Sequence, residues 1–380
     1  MPVVLPPRGR DLRLDFFRGI ANWWIFLDHI PNNIVNWITP RNYGFSDAAD
    51  LFVFISGYTA SFVFARMMLE RGFIIGASRL GRRVWQLYVA HVLLFVIYVA
   101  EIGWLATRYD NPILAQEFNV FGFIRDPFTT LYEGLILKFK PVNLDVLPLY
   151  IVLMGCFPPV LWMMLRRLNW VLATSVLLYF AARHFDWNLP SYPDGAWYFN
   201  PFCWQLLFVF GAWFALGGVG ELMPLIRSRW LTVLGGGYLL FALVITMASR
   251  FPELRELLPV WLYDAFNPND KTNLAPYRFL HFVVIAFLVV RFVPRNWLVL
   301  ERPVFWPVIV SGQQSLEVFC VGIFLSSLAH FILVEVSNEI WMQVLVSLIG
   351  VAVMTGVAAY RSWSKKIEKT KGPSPAPVSA

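Results

Sequence analysis

The sequence predicts an all-α, polytopic membrane protein of about ten transmembrane helices with both termini in the cytoplasm. Three observations carry that expectation. Of the 380 residues, 58% are hydrophobic and only 14% are charged, which leaves more apolar surface than one water-soluble core can bury. The apolar residues come in runs long enough, or nearly so, to cross a hydrocarbon core about 30 Å thick. Basic residues collect in alternate connections between those runs, the pattern of positive charge retained on the cytoplasmic side.

In chain order the runs lie at 14–29, 48–66, 84–106, 146–165, 170–184, 201–217, 230–249, 277–293, 305–332 and 340–360. Arginine and lysine gather before the first run, at 66–83, at Arg166 and Arg167, at Arg227 and Arg229, at Arg291, Arg295 and Arg302, and from Arg361 to Lys371. The other connections, 31–46, 107–145, 185–200, 250–276 and 333–339, are rich in Trp, Tyr, Pro and Asn and are expected outside, facing the periplasm in a Gram-negative cell. Topology accounts for the net charge of +7, so nucleic acid is not an expected partner. Residues 1–13 read as a cytoplasmic N-terminal segment, 14–360 as one transmembrane domain, and 361–380 as a basic and then disordered tail. The start has no cleavable-signal pattern, and the first helix is expected to be retained. Cys156, Cys203 and Cys320 fit no disulfide or zinc spacing, no metal site is expected, and no soluble domain, fixed-period repeat or Gly-rich phosphate loop is found.

The first run is the most informative. Asp15, Arg18, Asn22 and His29 recur at helical spacing along one face, and ionisable groups at membrane depth need a partner, water or a function. The ordinary reading of Asp15 and Arg18 is an i, i+3 pair near the headgroups. His29 lies about 22 Å up the helix, beyond the reach of headgroups on the entry side.

Other polar residues fall at the outward ends of runs: Asp47 and Asp50, Asn143 and Asp145, Asn200, Trp204 and Gln205, and Arg278 with His281 one turn on. Singly, such carboxylates cap free N–H groups. Together they predict a polar acceptor pocket, with the Trp204 indole against a sugar face and the Gln205 amide on its hydroxyls. In the ninth run Gln313, Gln314, Ser315 and Glu317 read either as interhelical glue or as the lining of a polar passage. His91, Glu101, His184 and His330 are read as structural or interfacial.

A histidine where a cytoplasmic passage meets an outward pocket suits general-base catalysis on an acyl thioester. Asp28, Asp47 or Asp50 would orient the imidazole. Arg79, Arg82 and Arg83, read as a basic cytoplasmic loop, would bind a donor's phosphates together with Gln314 and Ser315. No GxSxG-type elbow supports a serine acyl-enzyme.

RDLRLDFFRGIANWWIFLDHIP, FGFSDAADLFVFISGY, NLDVLPLY, NPFCWQLLF, PYRFLHF and SGQQSLEVF resemble the OpgC family over nearly all of residues 8–360. That family is associated with succinylation of osmoregulated periplasmic glucans, within the wider acyltransferase family 3 relationship. Its most telling element is an Arg, ten residues, then His, here Arg18 and His29. The resemblance implies ten transmembrane helices in the bacterial inner membrane, a cytoplasmic acyl-CoA donor, succinyl-CoA in particular, a periplasmic glucan hydroxyl as acceptor, and His29 as the essential histidine, with Arg18 beside it in the catalytic set. No cofactor beyond the donor substrate is implied. The reading from another class is a transporter or exporter that moves a polar solute through the same pocket. Oligomeric state and acyl identity are not fixed by the sequence.

Overall fold

In the computed structural model, residues 3–6, 9–295 and 297–370 are described. Among them the regular structure is helical, with one isolated bridge, between Pro190 and Ala196. The principal helices are α1 (Leu12–Asp28), α2 (Ala48–Arg71) and α3 (Phe73–Arg108). Three short helices follow, α4 (Pro112–Glu117), α5 (Phe121–Arg125) and α6 (Pro127–Leu135). Then come α7 (Val146–His184), α8 (Pro201–Trp213), α9 (Val219–Arg227), α10 (Arg229–Ala248), α11 (Pro252–Glu256) and α12 (Val260–Asp264). The chain ends with α13 (Pro276–Phe292), α14 (Trp306–Gln313), α15 (Ser315–Glu335) and α16 (Ile340–Thr370). Seven stretches, Ala48–Arg71, Phe73–Arg108, Val146–His184, Pro201–Arg227, Arg229–Ala248, Ser315–Glu335 and Ile340–Glu368, are long and apolar enough to cross a membrane.

The chain forms two compact units. The larger is built from Asn36–Pro294 with the described residues before Arg10. The smaller is built from Arg10–Val35 and the described residues from Arg295 onwards.

In the larger unit α2 and α8 pack backbone to backbone. A Cβ on Gly57 would fall 2.0 Å from the Phe208 carbonyl oxygen, and one on Gly211 would fall 2.3 Å from that of Phe54, so no larger residue fits either position. The 39-residue α7 is a hairpin, because Arg167 has non-helical angles (φ −143°, ψ 67°) and the chain turns back there. Asp145, before its first turn, interacts electrostatically with Lys271, while Tyr179 and Arg183, near its last, bond to Leu274 and Asp270. Both ends of α7 therefore meet the same 270–274 segment. That reversal separates the runs at 146–165 and 170–184. At the same end start α2, α8 and α13: Lys271 bonds Asp47, Asn200 caps α8 through Phe202 N, and Arg278 in the first turn of α13 reaches Asp50.

In the smaller unit α1 crosses α14 through Gly19 and Gly312. A Cβ on Gly19 would lie 1.8 Å from the Val308 carbonyl oxygen, and one on Gly312 1.8 Å from that of Asp15. Around this contact Phe26, Leu27, Ile30, Val318, Ala329, Met354 and Ala358 form an apolar core.

Three expectations change. The basic stretch at 79–83 is not a loop but the second and third turns of α3, which opens at Phe73 directly after the Gly72 cap of α2. The run at 305–332 is broken at Gln314 (φ −114°, ψ 39°) into α14 and α15. The tail expected from 361 is helical to Thr370 as the end of α16, and residues 371–380 lie outside the described residues.

Candidate functional site

Two sets of polar side chains stand out, one in each unit. In the larger unit the set is assembled at helix starts. Asp47 caps α2 by accepting from Ala49 N at 2.8 Å, and Asp50 returns the favour by accepting from Asp47 N at 2.8 Å, a reciprocal cap. The capping role expected of such carboxylates is therefore real. It is also incomplete as a description, because Arg278, 2% exposed, lies over both acids. Its Nε donates to Asp50 Oδ1 at 3.1 Å and its Nη2 bonds Asp50 Oδ2, with Asp47 Oδ2 at 2.9 Å; Nη1 donates to the Phe45 carbonyl at 2.9 Å. This two-pronged engagement is what the planar guanidinium offers and an ammonium does not. Lys271 adds a second cation 2.6 Å from Asp47 Oδ2. Burial alone would raise the Asp47 carboxyl, but the Arg278 and Lys271 charges outweigh it and hold that group well below the usual carboxylate range.

Asp145 extends the set through its electrostatic interactions with Lys140 and Lys271. Burial pushes its carboxyl up to about 6 against the pull of those cations. Burial likewise pushes the Lys140 ammonium down to about 8, opposed by Asp145. Lys140 sits 4.1 Å from the Trp197 ring centroid and donates to the Leu137 carbonyl at 3.2 Å. Three carboxylates thus face three cations.

His281 joins the set as a neutral prop. Ser46 N–H points at its Nδ1 from 3.3 Å, and the Ser46 hydroxyl is 2.7 Å from the same atom, so Nδ1 accepts and the ring proton is on Nε2. Trp204 and Gln205 do not serve as a sugar platform. Trp204 is fully buried, with Nε1 donating to the Lys271 and Thr272 carbonyls at 3.0 and 3.2 Å, and Phe199 packs edge-on against it. The Gln205 amide is taken by Ser175, accepting from its hydroxyl at 2.6 Å and donating to its carbonyl at 2.9 Å. Both clamp chain segments together. Arg79 and Arg82 are exposed on α3, and Arg83 donates to Gln86 at 3.3 Å.

In the smaller unit α1 carries the other set. Asp15 is bridged by Arg10, 2.5 Å from Nε to Oδ2 and 3.3 Å from Nη2 to Oδ1. The segment before the helix thus supplies a cation to Asp15. Arg18 is half-buried on the same helix. Asn22 is fully buried and donates through Nδ2 to Ser315 Oγ at 3.1 Å, while its Oδ1 has no hydrogen-bond partner among the described residues. Gln314, mostly buried, accepts from Lys365 Nζ at 2.5 Å, and Glu317 pairs with Arg361 and Lys365 at 3.2 and 3.5 Å.

His29 is the C-cap of α1, half-buried, directly after Asp28. Its Nδ1 lies 2.6 Å from the Ile25 carbonyl oxygen. A carbonyl can only accept, so Nδ1 carries the proton and the neutral ring has its lone pair on Nε2. The orienting partner at Nδ1 is therefore a main-chain carbonyl, where a carboxylate was expected. Sequence reasoning missed Lys140, Lys271, Ser46, Arg10, Arg361 and Lys365. Lys271 had a signal in the polar run NPND before it, but its partner is 224 residues away.

No curated protein and no solved structure matches the chain. A family model described as OpgC protein matches residues 10–366, which takes in both polar sets and every described helix from α1 to α15. The chain therefore belongs to the OpgC protein family, whose name ties it to the modification of osmoregulated periplasmic glucans.

Proposed function

We propose that the protein is an inner-membrane O-acyltransferase that moves an acyl group, succinyl in particular, from cytoplasmic acyl-CoA to hydroxyls of a periplasmic glucan. The tautomer of His29 carries this reading: Nδ1–H is committed to the Ile25 carbonyl, and the lone pair is on Nε2. In the reaction Nε2 takes the proton of the glucan hydroxyl as that oxygen attacks the thioester carbonyl. The C–S bond then breaks, the new ester C–O bond is complete, and the imidazolium returns its proton to the departing thiolate. Asp28 directly precedes His29 in sequence and Arg18 lies eleven residues earlier on α1, where its charge is suited to the acyl donor. Asn22, Gln314 and Ser315 line the donor's approach. In the larger unit Asp47, Asp50, Asp145, Arg278 and His281 frame the acceptor side, with Lys271, half-buried, able to donate to a sugar hydroxyl.

The topology in this reading has ten spans and both termini in the cytoplasm. They are α1, α2, α3, the two arms of α7, α8 with α9, α10, α13, α14 with α15, and α16. The test is mass spectrometry of periplasmic glucans from cells with the intact protein, without it, and with His29→Ala. Loss of a succinyl mass increment with glucan export unchanged supports the transferase. Arrested export with residual glucan still acylated would make the protein a transporter.

A further inference from the structure

Helix α16 is 31 residues long, about 46 Å at 1.5 Å per residue, and outruns a hydrocarbon core of about 30 Å. Its last turns bring Arg361 and Lys365, four residues apart on one face, back onto the interruption at Gln314. There α15 begins with no side chain capping its first N–H groups. An uncapped N-terminus inside a broken membrane helix, with two cations beside it, favours an anion. A second observation points independently to a ligand. Asn22 is fully buried and touches Ser315 at the first residue of α15, yet its Oδ1 has no partner among the described residues. A buried acceptor left unpaired costs about 1–3 kcal/mol, and in native proteins such a group ordinarily meets a donor.

We propose that this break is the seat of the donor's phosphorylated end, with Arg361 and Lys365 as the phosphate-binding cations. The assignment rests on the acyl-CoA reading above and moves the donor's anchor away from the exposed arginines of α3. Glu317 is the placeholder: its carboxylate holds Arg361 and Lys365 at 3.2 and 3.5 Å until the phosphate arrives. The unpaired Asn22 Oδ1 is complementary to an amide N–H on the peptide-like arm of such a donor.

The experiment measures binding of coenzyme A to the purified full-length protein in lipid nanodiscs by calorimetry, at low and moderate salt. R361Q/K365Q is expected to lose at least tenfold in affinity and most of its salt dependence. Glu317→Gln is expected to tighten binding several-fold, a gain that a misfolded variant does not give. R227Q/R229Q, which removes equal charge from another exposed stretch, is expected to bind as the unaltered protein does. Equal binding by R361Q/K365Q, or equal weakening by both double variants, overturns the seat while leaving the donor reading intact. Failure of the unaltered protein to bind coenzyme A overturns the donor reading itself.

Discussion

The polar set of the larger unit and that of the smaller unit use the same residue types to opposite ends. Around Arg278 each carboxylate meets a cation, Asp47 also caps its helix, His281 spends its lone pair on Ser46, and Trp204 is closed off by carbonyls. Around α1 two groups are arranged differently. Asn22 uses one end of its amide only, and His29 is anchored at Nδ1 so that its basic nitrogen is Nε2. A network with opposed charges throughout fixes the start of four chain segments; one with an orphan acceptor and a defined tautomer is prepared to meet something else.

The difference has measurable consequences. The largest is expected at His29: replacement by Ala removes the base and is expected to lower ester formation by about 10²–10⁴-fold while the protein still inserts and folds, read by glucan mass spectrometry beside a thermal transition. Arg278→Ala is expected to do the reverse of that pattern, costing stability first. It strands the buried Asp50 carboxylate while Asp47 keeps Lys271, at about 3–5 kcal/mol, visible as a lowered melting temperature in detergent. Converting Asp50 to Asn in the same chain is expected to recover part of that loss, since the stranded charge is gone. A partial loss of activity in a protein of normal stability would mean the arginine acts in chemistry and not in assembly.

Gly312→Ala is expected to cost about 1–3 kcal/mol and to lower activity as well, because its Cβ collides with the Asp15 carbonyl and pushes α1 off α14. The smallest effect is a pH dependence. Asp145 titrates near 6 in the folded protein against about 4 in a free chain, so the fold holds its proton more tightly. The resulting stabilisation is complete below about pH 4 and is lost as pH rises through 6. Asp145→Asn is expected to flatten the melting temperature across that window. A variant profile parallel to the original would assign the slope to other groups.

Much of the helix layout was legible because membrane spans announce themselves by length and composition, and because Arg166 and Arg167 interrupt an otherwise apolar stretch where α7 turns back. The meeting of Asp47, Asp50, Asp145, Arg278 and His281 at one end of the larger unit also followed from their common position at the ends of runs expected to face outward. What did not follow was decided by partners remote in sequence. Trp204 next to Gln205 reads as a sugar platform until the carbonyls of Lys271 and Thr272 are seen to occupy the indole N–H. The two-pronged grip of Arg10 on Asp15, folded back from before the helix, has no counterpart in the i, i+3 spacing of α1. The interruption at Gln314 carries neither Gly nor Pro at the break itself, so local propensity gave no sign of it.

The turn at Arg167 bears on how the chain can be mapped in cells. With a single non-helical residue between its two arms, α7 offers no slack peptide at that point. A reporter enzyme or cleavage tag spliced there must unwind part of an arm before it is accommodated, whereas the connection at 185–200 has length to spare. Orientation assays should therefore carry their insertions in that longer segment, where a silent reporter tells of the wrong compartment rather than of a ruptured hairpin.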